Sequence, residues 1–525
     1  MEEKQALKKF YITTAIHYAN AAPHVGHAYE GVLADILARY QRGRGAETFF
    51  LTGTDEHGQK IVRAAEKAGV GPQAFVDENA AKFQKLYEDL HLSNNAFIRT
   101  SNKEAHWAGA EELWKRLSNA GDIYRDTYDG LYCVGCESFV TEKELVDGKC
   151  PDHNEEPQVV EEENYFFRAS KYQEQLITLI EKDELRILPD ARKEETLAFL
   201  KAPLQDPSFS RPEGSVPWGI PVPGDPTQMM YVWCDALANY ISALGFGKAG
   251  EDEKFQKFWP ADVHVIGKDI LRFHAVFWPA MLLSAELPLP KTLLVHGHLI
   301  SGGRKMSKTL GNVIDPQYFI KKYGSEAFRH YLGHEISPFH DGDFTEEKFI
   351  ESYNGNLANG IGNLLSRTVA MAQKYFDGSV MYDENISVPM RRKLGGFAEE
   401  EAPVFHIPYY FDQFVLPEYQ REMEALEINK AAGVAWRFAA ALDEYISDYE
   451  PFKLVKTDAK KTEQVLWQVL FGISKLAELL QPFLPETGEK MHHALGVQDD
   501  IEVNSETVFH TEPLPEPLFQ KVNVS

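Results

Sequence analysis

The chain has 525 residues, of which 44% are hydrophobic and 25% are charged, and its formal net charge is −25. This length allows several domains, and the composition is that of an ordinary globular protein. No apolar run of about 18 residues predicts a membrane span, and the charged start lacks the apolar centre of a signal peptide, which predicts a cytoplasmic protein. The negative charge argues against non-specific nucleic-acid binding, because the overall field repels phosphate, but it leaves room for one local basic surface.

The first third of the chain alternates strand-like and helix-like segments. Residues 9–20 and 46–58 have the pattern of strands that end in polar turns, and residues 26–45 have helical spacing of apolar side chains. This alternation predicts an α/β fold with a doubly wound parallel sheet of the Rossmann type, in which ligands bind beyond the carboxyl ends of the strands. The stretches HVGH (24–27) and GTDEHG (53–58) are both predicted to lie at that edge.

The rest of the chain changes character twice. From about residue 121 it is rich in turns and charge, then it returns to the α/β pattern, and after about residue 350 helical periodicity continues almost to the end. We therefore predict two halves of a catalytic domain at 1–120 and 230–350, an inserted connective module at 121–229, and an all-α bundle at 351–525.

A group of cysteines in the inserted module predicts a metal site. The spacing C-x2-C-x13-C-x2-H suits tetrahedral Zn²⁺ in a knuckle spanning about 131–157. The predicted ligands are Cys133, Cys136, Cys150 and His153. Since all four ligands come from the protein, one structural zinc per chain is expected, and the alternative is a chance cluster of buried cysteines.

The stretch HVGH allows several chemistries when it is considered alone. His24 and His27 could bind a metal, form an acid–base pair, or hold an anion at a helix start, where free N–H groups and the helix dipole favour negative charge. Two surface histidines without a function are an equally good interpretation of this motif by itself.

A second basic motif lies in SGGRKMSKTLGN (301–312). Gly302 and Gly303 predict a mobile loop, and three cations follow within five residues. Because the loop comes after the apparent strand TLLVHGHLI (292–300), it is expected at the ligand edge of the sheet. The alternative is a solvated basic loop, the usual fate of a charge run.

Together, these motifs resemble a known family. The H-x-G-H and K-M-S-K motifs are the signatures of class I aminoacyl-tRNA synthetases. The blocks YANAAPHVGHAYE, TGTDEHGQKI, YVWCDALANY, VIGKDILRFHAVFWPAML and GRKMSKTLGN, with the knuckle between them, follow the order of the methionyl-tRNA synthetases. The resemblance implies that L-methionine and ATP, with Mg²⁺, form methionyl-adenylate and pyrophosphate. The methionyl group would then pass to the 3′ adenosine of tRNA(Met), and the helical tail would bind the anticodon.

The resemblance also implies roles at the nucleotide site. His24 and His27 match the histidines that contact phosphate, and Lys308 matches the lysine that stabilises the leaving pyrophosphate. The other positions carried over to the nucleotide site and the loop are Gly26, Glu30, Gly267, Asp269, Lys305 and Ser307.

For methionine, the resemblance implies a pocket in which Asp55 receives the ammonium group, Trp233 and Tyr18 pack on the thioether, and His274 closes one side. The full set is Ala15, Ile16, Tyr18, Asp55, Trp233, Ala236, Tyr240, Ile270 and His274. The alternatives are a core position for the aromatic residues and a helix N-cap for Asp55.

In the bundle, Asn359, Asn363 and Arg367 share one helical face at i, i+4 and i+8 and match the anticodon-contacting face of the family. Amide and guanidinium groups suit the exposed base edges of single-stranded RNA. Asn359 has the alternative of a hydrogen bond between helices. Phe452 stands where the family often has a tryptophan that stacks on an anticodon base, so stacking is expected with less area.

Two other functions fit part of the pattern. A class I synthetase for another amino acid would share both signatures, although the modest insertion argues against a large editing domain. A tRNA-binding paralogue without activity would carry damaged signatures, and here both look intact. Because the chain ends soon after the bundle, we expect a monomer.

Overall fold

The computed structural model describes residues 8–133, 138–140, 142, 145–151, 154–306, 312–390, 406–497, 503 and 507–522. The chain forms two compact units, Met1–His298 and Leu299–Ser525. The described start of the basic loop, residues 301–306, therefore belongs to the second unit, whereas the segment predicted from the sequence for it was 230–350.

The first unit contains both parallel and antiparallel sheets. Its strands are β1 (Lys9–Thr14), β2 (His17–Tyr18), β3 (Glu47–Asp55), β4 (Ala96–Arg99), β5 (Ile123–Cys133), β6 (Ser138–Val140), β7 (Gln158–Phe167), β8 (Arg186–Leu188), β9 (Ser210–Pro212), β10 (Pro221–Val222), β11 (Asp225–Met230), β12 (Val263–Gly267) and β13 (Thr292–His296). Its α-helices are α1 (Val25–Gly43), α2 (Gln59–Ala68), α3 (Pro72–Asp89), α4 (Ala108–Asn119), α5 (Gln173–Glu181), α6 (Asp190–Lys201), α7 (Val232–Leu237), α8 (Asn239–Ser242), α9 (Glu253–Phe258) and α10 (Trp278–Ser284).

The central sheet has the strand order β2–β3–β1–β12–β13–β8, with β4 also paired to β3. Every pairing in it is parallel, which confirms the predicted sheet. The register pairs Thr14 with Val265 and Gly267 with His296, so the carboxyl ends of β1, β12 and β13 meet at one edge. Ligands of doubly wound sheets bind at such an edge.

Helix α1 follows β2 and packs on the sheet through its apolar face. The four residues at helical spacing, Leu33, Ile36, Leu37 and Tyr40, are all buried. Their burial removes apolar surface from water, the dominant favourable contribution to folding. This packing fixes the first turn of α1 relative to the strand ends.

The inserted region holds two antiparallel sheets, β6–β5–β7 and β10–β11–β9. Between them, β8 pairs in parallel with β13 and forms the edge of the central sheet. The segment 121–229 is therefore not wholly an insertion in the structure. The three residues of β8 are too few to show a periodic pattern, so no sequence pattern indicates this strand.

The second unit is mainly helical. Its α-helices are α11 (Pro316–Tyr323), α12 (Ser325–His330), α13 (Glu346–Ser352), α14 (Asn363–Phe376), α15 (Ile407–Tyr410), α16 (Leu416–Glu424), α17 (Ile428–Tyr449), α18 (Pro451–Leu454), α19 (Ala459–Leu480) and α20 (Pro485–Leu495). Its short strands are β14 (Leu299–Ser301), β15 (Arg304–Lys305), β16 (Gly342–Asp343), β17 (Ser379–Met381) and β18 (Val508–His510). Among the described helices, none has both the length and the apolar character needed to cross a membrane.

The apparent strand at 292–300 is two strands. β13 ends at His296 in the parallel sheet, and β14 starts at Leu299 and pairs with β15 and β16 in a small separate sheet. The prediction of one continuous strand was therefore wrong. The chain leaves the parallel sheet at His296. The side chain of this residue is hydrogen-bonded to Glu30 and to the Gly297 carbonyl group.

Candidate active site and RNA-binding face

The histidine pair of HVGH forms the N-terminal cap of α1. His24 is the N-cap residue, and its Nδ1 accepts a hydrogen bond from the Gly26 N–H at 3.1 Å. His27 Nδ1 in turn accepts from the His24 N–H at 3.1 Å, and the two rings stack with centroids 3.8 Å apart. A Cβ atom at position 26 would lie 2.9 Å from His24 Cε1, so glycine lets the His24 ring lie over the first turn.

These hydrogen bonds determine which ring nitrogens can donate. Because both Nδ1 atoms accept from backbone N–H groups, a neutral ring in either residue carries its proton on Nε2. Burial, together with the neighbouring imidazoles of His24 and His17, holds the pKa of His27 well below its usual value. The first turn of α1 therefore places an uncharged His27 ring, with its proton on Nε2, beside the positive end of the helix dipole, an arrangement suited to phosphate oxygens.

Glu30 joins α1 to the carboxyl ends of two strands. It is buried, its Oε1 accepts from the Ala15 N–H at 2.7 Å, and its Oε2 accepts from His296 Nε2 at 3.0 Å. His296 Nδ1 also donates to the Gly297 carbonyl at 2.8 Å, so both ring nitrogens act as donors. Burial lowers the pKa of His296, but the hydrogen bond and charge of Glu30 outweigh it, and the net pKa is raised. The pair is a buried imidazole–carboxylate contact at the ligand edge of the sheet.

Gly267 and Asp269 lie at the same edge. A Cβ at Gly267 would approach Asp269 Oδ1 to 2.7 Å, so a larger residue would displace that carboxylate. The Asp269 side chain is 68% exposed, and its Oδ1 lies 3.4 Å from His298 Nε2. Asp269 is thus accessible to a ligand, whereas Glu30 is enclosed by protein donors.

Most of the predicted methionine pocket lies in one apolar cluster of the first unit. Ala15, Ile16, Tyr18, Trp233, Tyr240 and Ile270 all belong to it. Trp233 stacks on Phe273 with centroids 3.7 Å apart. Asp55 ends β3 directly opposite Tyr18, and Ala236 lies on α7 with Trp233. A carboxylate at the margin of an apolar cluster has the character needed for an amino acid with a thioether side chain.

His274 and Tyr240 form a buried hydrogen-bonded pair at the pocket. His274 Nδ1 donates to the Ile270 carbonyl at 3.0 Å, and its Nε2 accepts from the Tyr240 hydroxyl at 2.7 Å. Burial lowers the pKa of His274 to about 4. The ring is therefore neutral near pH 7, and its proton is held on Nδ1.

The basic loop begins as a β-hairpin in the second unit. β14 and β15 are joined by Gly302 and Gly303, whose φ angles of 59° and 73° lie in the left-handed region that favours glycine. The Gly303 N–H donates to Asp343 Oδ1 at 3.1 Å. The Lys305 side chain and the residues Ser307 and Lys308 lie outside the described residues.

The predicted zinc knuckle lies only partly within the described residues. Cys133 is the last residue of β5. Cys150 follows a tight turn in which Val146 pairs with Lys149 and the two residues between them have positive φ angles. Cys136 and His153 lie outside the described residues. Both described cysteines are buried and neither is in a disulfide. Buried thiols at turns fit the donor set of a zinc knuckle.

The predicted anticodon residues lie on an accessible surface of the second unit. Asn359 lies in a π-helical segment, Tyr353–Gly362, that continues into α14, where Asn363 and Arg367 follow. Asn359 and Asn363 are exposed, which does not favour a packing role for Asn359. Arg367 pairs with Asp443 at 2.6 Å, and its Nε has no partner among the residues described here.

Phe452 is also accessible on this unit. It lies in the short helix α18, is 46% exposed, and has Lys453 Nζ 5.8 Å from its ring centroid. An exposed aromatic ring beside a cation suits a nucleic-acid base.

One further group in the described residues has metal-binding side chains close together. His330, His334 and Glu335 place ligand atoms within 4.8 Å of one another. Glu335 Oε1 already accepts from His334 Nδ1 at 2.9 Å, Ser352 Oγ at 2.7 Å and Asn356 Nδ2 at 3.0 Å. We therefore interpret this group as a hydrogen-bonded network rather than a metal centre.

The role of His296 was not predicted from the sequence. The one sequence feature that pointed to a functional residue here was the HGH motif (296–298) within the predicted strand at 292–300. The pairing with Glu30 spans 266 positions along the chain and depends on the sheet order, so a single sequence cannot show it.

Comparison with known families agrees with this geometry. Residues 10–159 and 152–369 match the family described as tRNA synthetases class I (M), and residues 412–523 match the anticodon binding domain of methionyl tRNA ligase. The parallel sheet and the helical region that follows it are therefore those of a class I aminoacyl-tRNA synthetase with an anticodon-binding domain.

Individual relatives match over nearly the whole chain. The methionine–tRNA ligase of Clostridium acetobutylicum is 44% identical over 95% of this chain and 75% of its own length, and that of Thermotoga maritima is 41% identical over 98% and 80%. The structure of Mycobacterium tuberculosis methionyl-tRNA synthetase in complex with methionyl-adenylate has a TM-score of 0.89 and 37% identity, covering 98% of this chain and 100% of that one. The chain belongs to the methionyl-tRNA synthetase family.

Proposed function

We propose that this protein is a methionine–tRNA ligase that activates L-methionine with ATP and transfers it to tRNA(Met) for translation. In the first reaction the methionine carboxylate attacks the α-phosphorus, the bond to pyrophosphate breaks, and methionyl-adenylate forms. In the second, a hydroxyl of the 3′ adenosine attacks the methionyl carbonyl and AMP leaves. The observation that carries this proposal is the capped histidine pair at the ligand edge of the parallel sheet.

Catalysis of activation is electrostatic in this proposal. Negative charge develops on the departing pyrophosphate, and the Nε2–H groups of His24 and His27 stabilise it. Lys305, Ser307 and Lys308 act from the loop on the same phosphates. The chain supplies no nucleophile, because the substrate carboxylate attacks, so positioning and charge stabilisation account for the rate.

The nucleotide is held at the carboxyl ends of the strands. Gly26 allows the close approach of the phosphates to α1, and Gly267 and Asp269 line the same edge. Glu30 contributes to nucleotide binding indirectly. Its two carboxylate oxygens already accept hydrogen bonds from the Ala15 N–H and from His296 Nε2, so it positions these groups of the protein. Mg²⁺ accompanies ATP, held largely by phosphate oxygens and water.

Methionine occupies the apolar cluster beside that edge. Asp55 receives the ammonium group, and Trp233 and Tyr18 pack on the thioether, a favourable sulfur–aromatic contact. The neutral His274, held by Tyr240, closes the pocket without placing a charge beside the apolar side chain.

The second unit recognises tRNA. Asn359, Asn363 and Arg367 hydrogen-bond the anticodon bases, and Phe452 stacks on one of them. Cys133, Cys136, Cys150 and His153 hold one structural zinc ion, which would stiffen a turn-rich module. We expect the enzyme to act in the cytoplasm.

The decisive experiment is amino-acid-dependent exchange of labelled pyrophosphate into ATP, measured with each of the twenty amino acids. Methionine should support exchange, and leucine, valine and cysteine should not. Exchange with another amino acid and none with methionine would make the chain a different class I synthetase. No exchange with any amino acid would favour the tRNA-binding paralogue.

Metal analysis tests the knuckle. The purified chain should contain about one zinc per molecule, and Cys133→Ser should lose it. Cys234→Ser is the matched control, because Cys234 is buried on α7, far in sequence from the knuckle, and should leave the zinc in place. A zinc-free wild-type protein would reject the site.

A further inference from the structure

Asp235 is a buried carboxylate that two histidines share. Its Oδ2 accepts from His57 Nδ1 at 2.6 Å, and its Oδ1 accepts from His106 Nε2 at 2.7 Å. All three side chains are at most 3% exposed. His106 Nδ1 also contacts Ser242 Oγ at 2.8 Å.

The carboxylate remains ionised because of these contacts. Burial raises its pKa, but the charges and hydrogen bonds of His57 and His106 outweigh burial and lower the pKa of Asp235 to about 2. A buried charge is tolerated only when it is paired, and removing one partner leaves an uncompensated group. The arrangement therefore holds its members in one geometry.

The triad connects elements that are distant along the chain. His57 follows β3 in the loop that starts after Asp55, His106 lies in the π-helical segment Lys103–Trp107, and Asp235 lies on α7. The His57 loop is held further by the Tyr18 hydroxyl, which donates to the His57 carbonyl at 2.9 Å. The triad thus ties the loop after β3 to the helix that follows β11.

The same elements carry the amino-acid pocket. Asp55 is two residues before His57, and Trp233 and Ala236 flank Asp235 on α7. The proposed ammonium site and the proposed thioether site are therefore joined through one buried carboxylate.

We propose that His57, Asp235 and His106 are positioning residues that set the spacing between the ammonium-binding carboxylate and the indole of the methionine pocket. This inference rests on the proposed function. The triad contacts no substrate. It fixes the loop and the helix whose side chains do, and misplacement of either one weakens methionine binding.

The experiment measures pyrophosphate exchange by the full chain with methionine and ATP varied separately. Asp235→Asn keeps the shape but removes the charge and one of the two acceptors. We expect its KM for methionine to rise about ten- to a hundredfold while its KM for ATP stays near that of the wild type. A role confined to folding would instead lower the fraction of active enzyme, and therefore kcat, without raising KM for methionine.

Conservative variants test the hydrogen bonds individually. In His57→Asn the amide Nδ2 can replace the Nδ1–H donor, and in His106→Gln the amide Nε2 can replace the Nε2–H donor. Both should restore most of the methionine affinity that His57→Ala and His106→Ala lose. These four variants keep the proposal testable if Asp235→Asn fails to fold.

Asp122→Asn is the matched control. Asp122 is equally buried in the same unit and accepts hydrogen bonds from Lys171, Tyr172 and Ser284, outside the proposed pocket. It should lose stability and keep its KM for methionine.

The possible failures are distinguishable. If the wild type shows no methionine-dependent exchange, the proposed function fails. If the wild type is active and Asp235→Asn raises both KM values equally, or raises neither, the positioning role is overturned.

Discussion

The candidate active site of the first unit and the candidate anticodon face of the second unit hold their polar groups in opposite ways. Glu30, Asp235 and His274 are buried and already hydrogen-bonded within the protein. Asn359 and Asn363 are exposed. A small-molecule site must be organised before its ligand arrives, whereas an RNA face obtains its partners from the bases. Substitutions should therefore affect the two regions in separable ways.

The largest expected effect is at His24. His24→Ala should slow single-turnover formation of methionyl-adenylate by about 10²–10³-fold, because it removes a donor to the developing charge. Methionine binding should be spared. His24→Asn retains a favourable N-cap but lacks the Nε2–H group, so it should keep the stability of α1 and still be slow.

That pair of variants separates the two roles of His24. Recovery of the rate in His24→Asn would show that the residue matters only as a cap, and the phosphate contact would have to be abandoned.

Lys308→Ala tests the loop of the second unit. Its match to the pyrophosphate-stabilising lysine predicts adenylate formation about a hundredfold slower, with methionine binding unchanged. Lys321→Ala removes an exposed cation from α11 and serves as the control. Unchanged single-turnover activation by Lys308→Ala would refute the assigned role.

Phe452→Ala should have a smaller effect that is confined to tRNA. Loss of one base stack should lower kcat/KM for tRNA charging about tenfold, and pyrophosphate exchange should not change, because that reaction does not use tRNA. Tyr409→Ala removes another exposed ring of that unit and is the control. A normal charging rate in Phe452→Ala would remove the residue from the anticodon face.

The two regions also differ in what a sequence can reveal. The parallel sheet, α1 and the helical region follow from local periodicity, and α1 buries the four residues whose spacing predicted it. Pairings such as Glu30 with His296, or His57 with Asp235, join positions 266 and 178 residues apart and depend on strand order, which no local pattern encodes. Strand β8 was not predicted for a local reason. Its three residues are too few to show the alternation of buried and exposed side chains that indicates a strand.

The smallest expected effect is on the pH dependence of protein stability that arises from the contact between His296 and Glu30. The folded-state pKa of His296 is raised, so the protonated pair contributes its full stability below the unfolded-state pKa and loses it as pH rises through the folded-state value. The difference in melting temperature between the wild type and His296→Gln should therefore be largest below the ordinary histidine pKa of about 6.5 and shrink as the pH rises above it. Glutamine keeps a neutral donor for Glu30, so its own curve is flatter. A difference that stayed constant or grew with pH would mean that His296 is neutral in the folded enzyme, and the buried site would then hold Glu30 by a hydrogen bond alone.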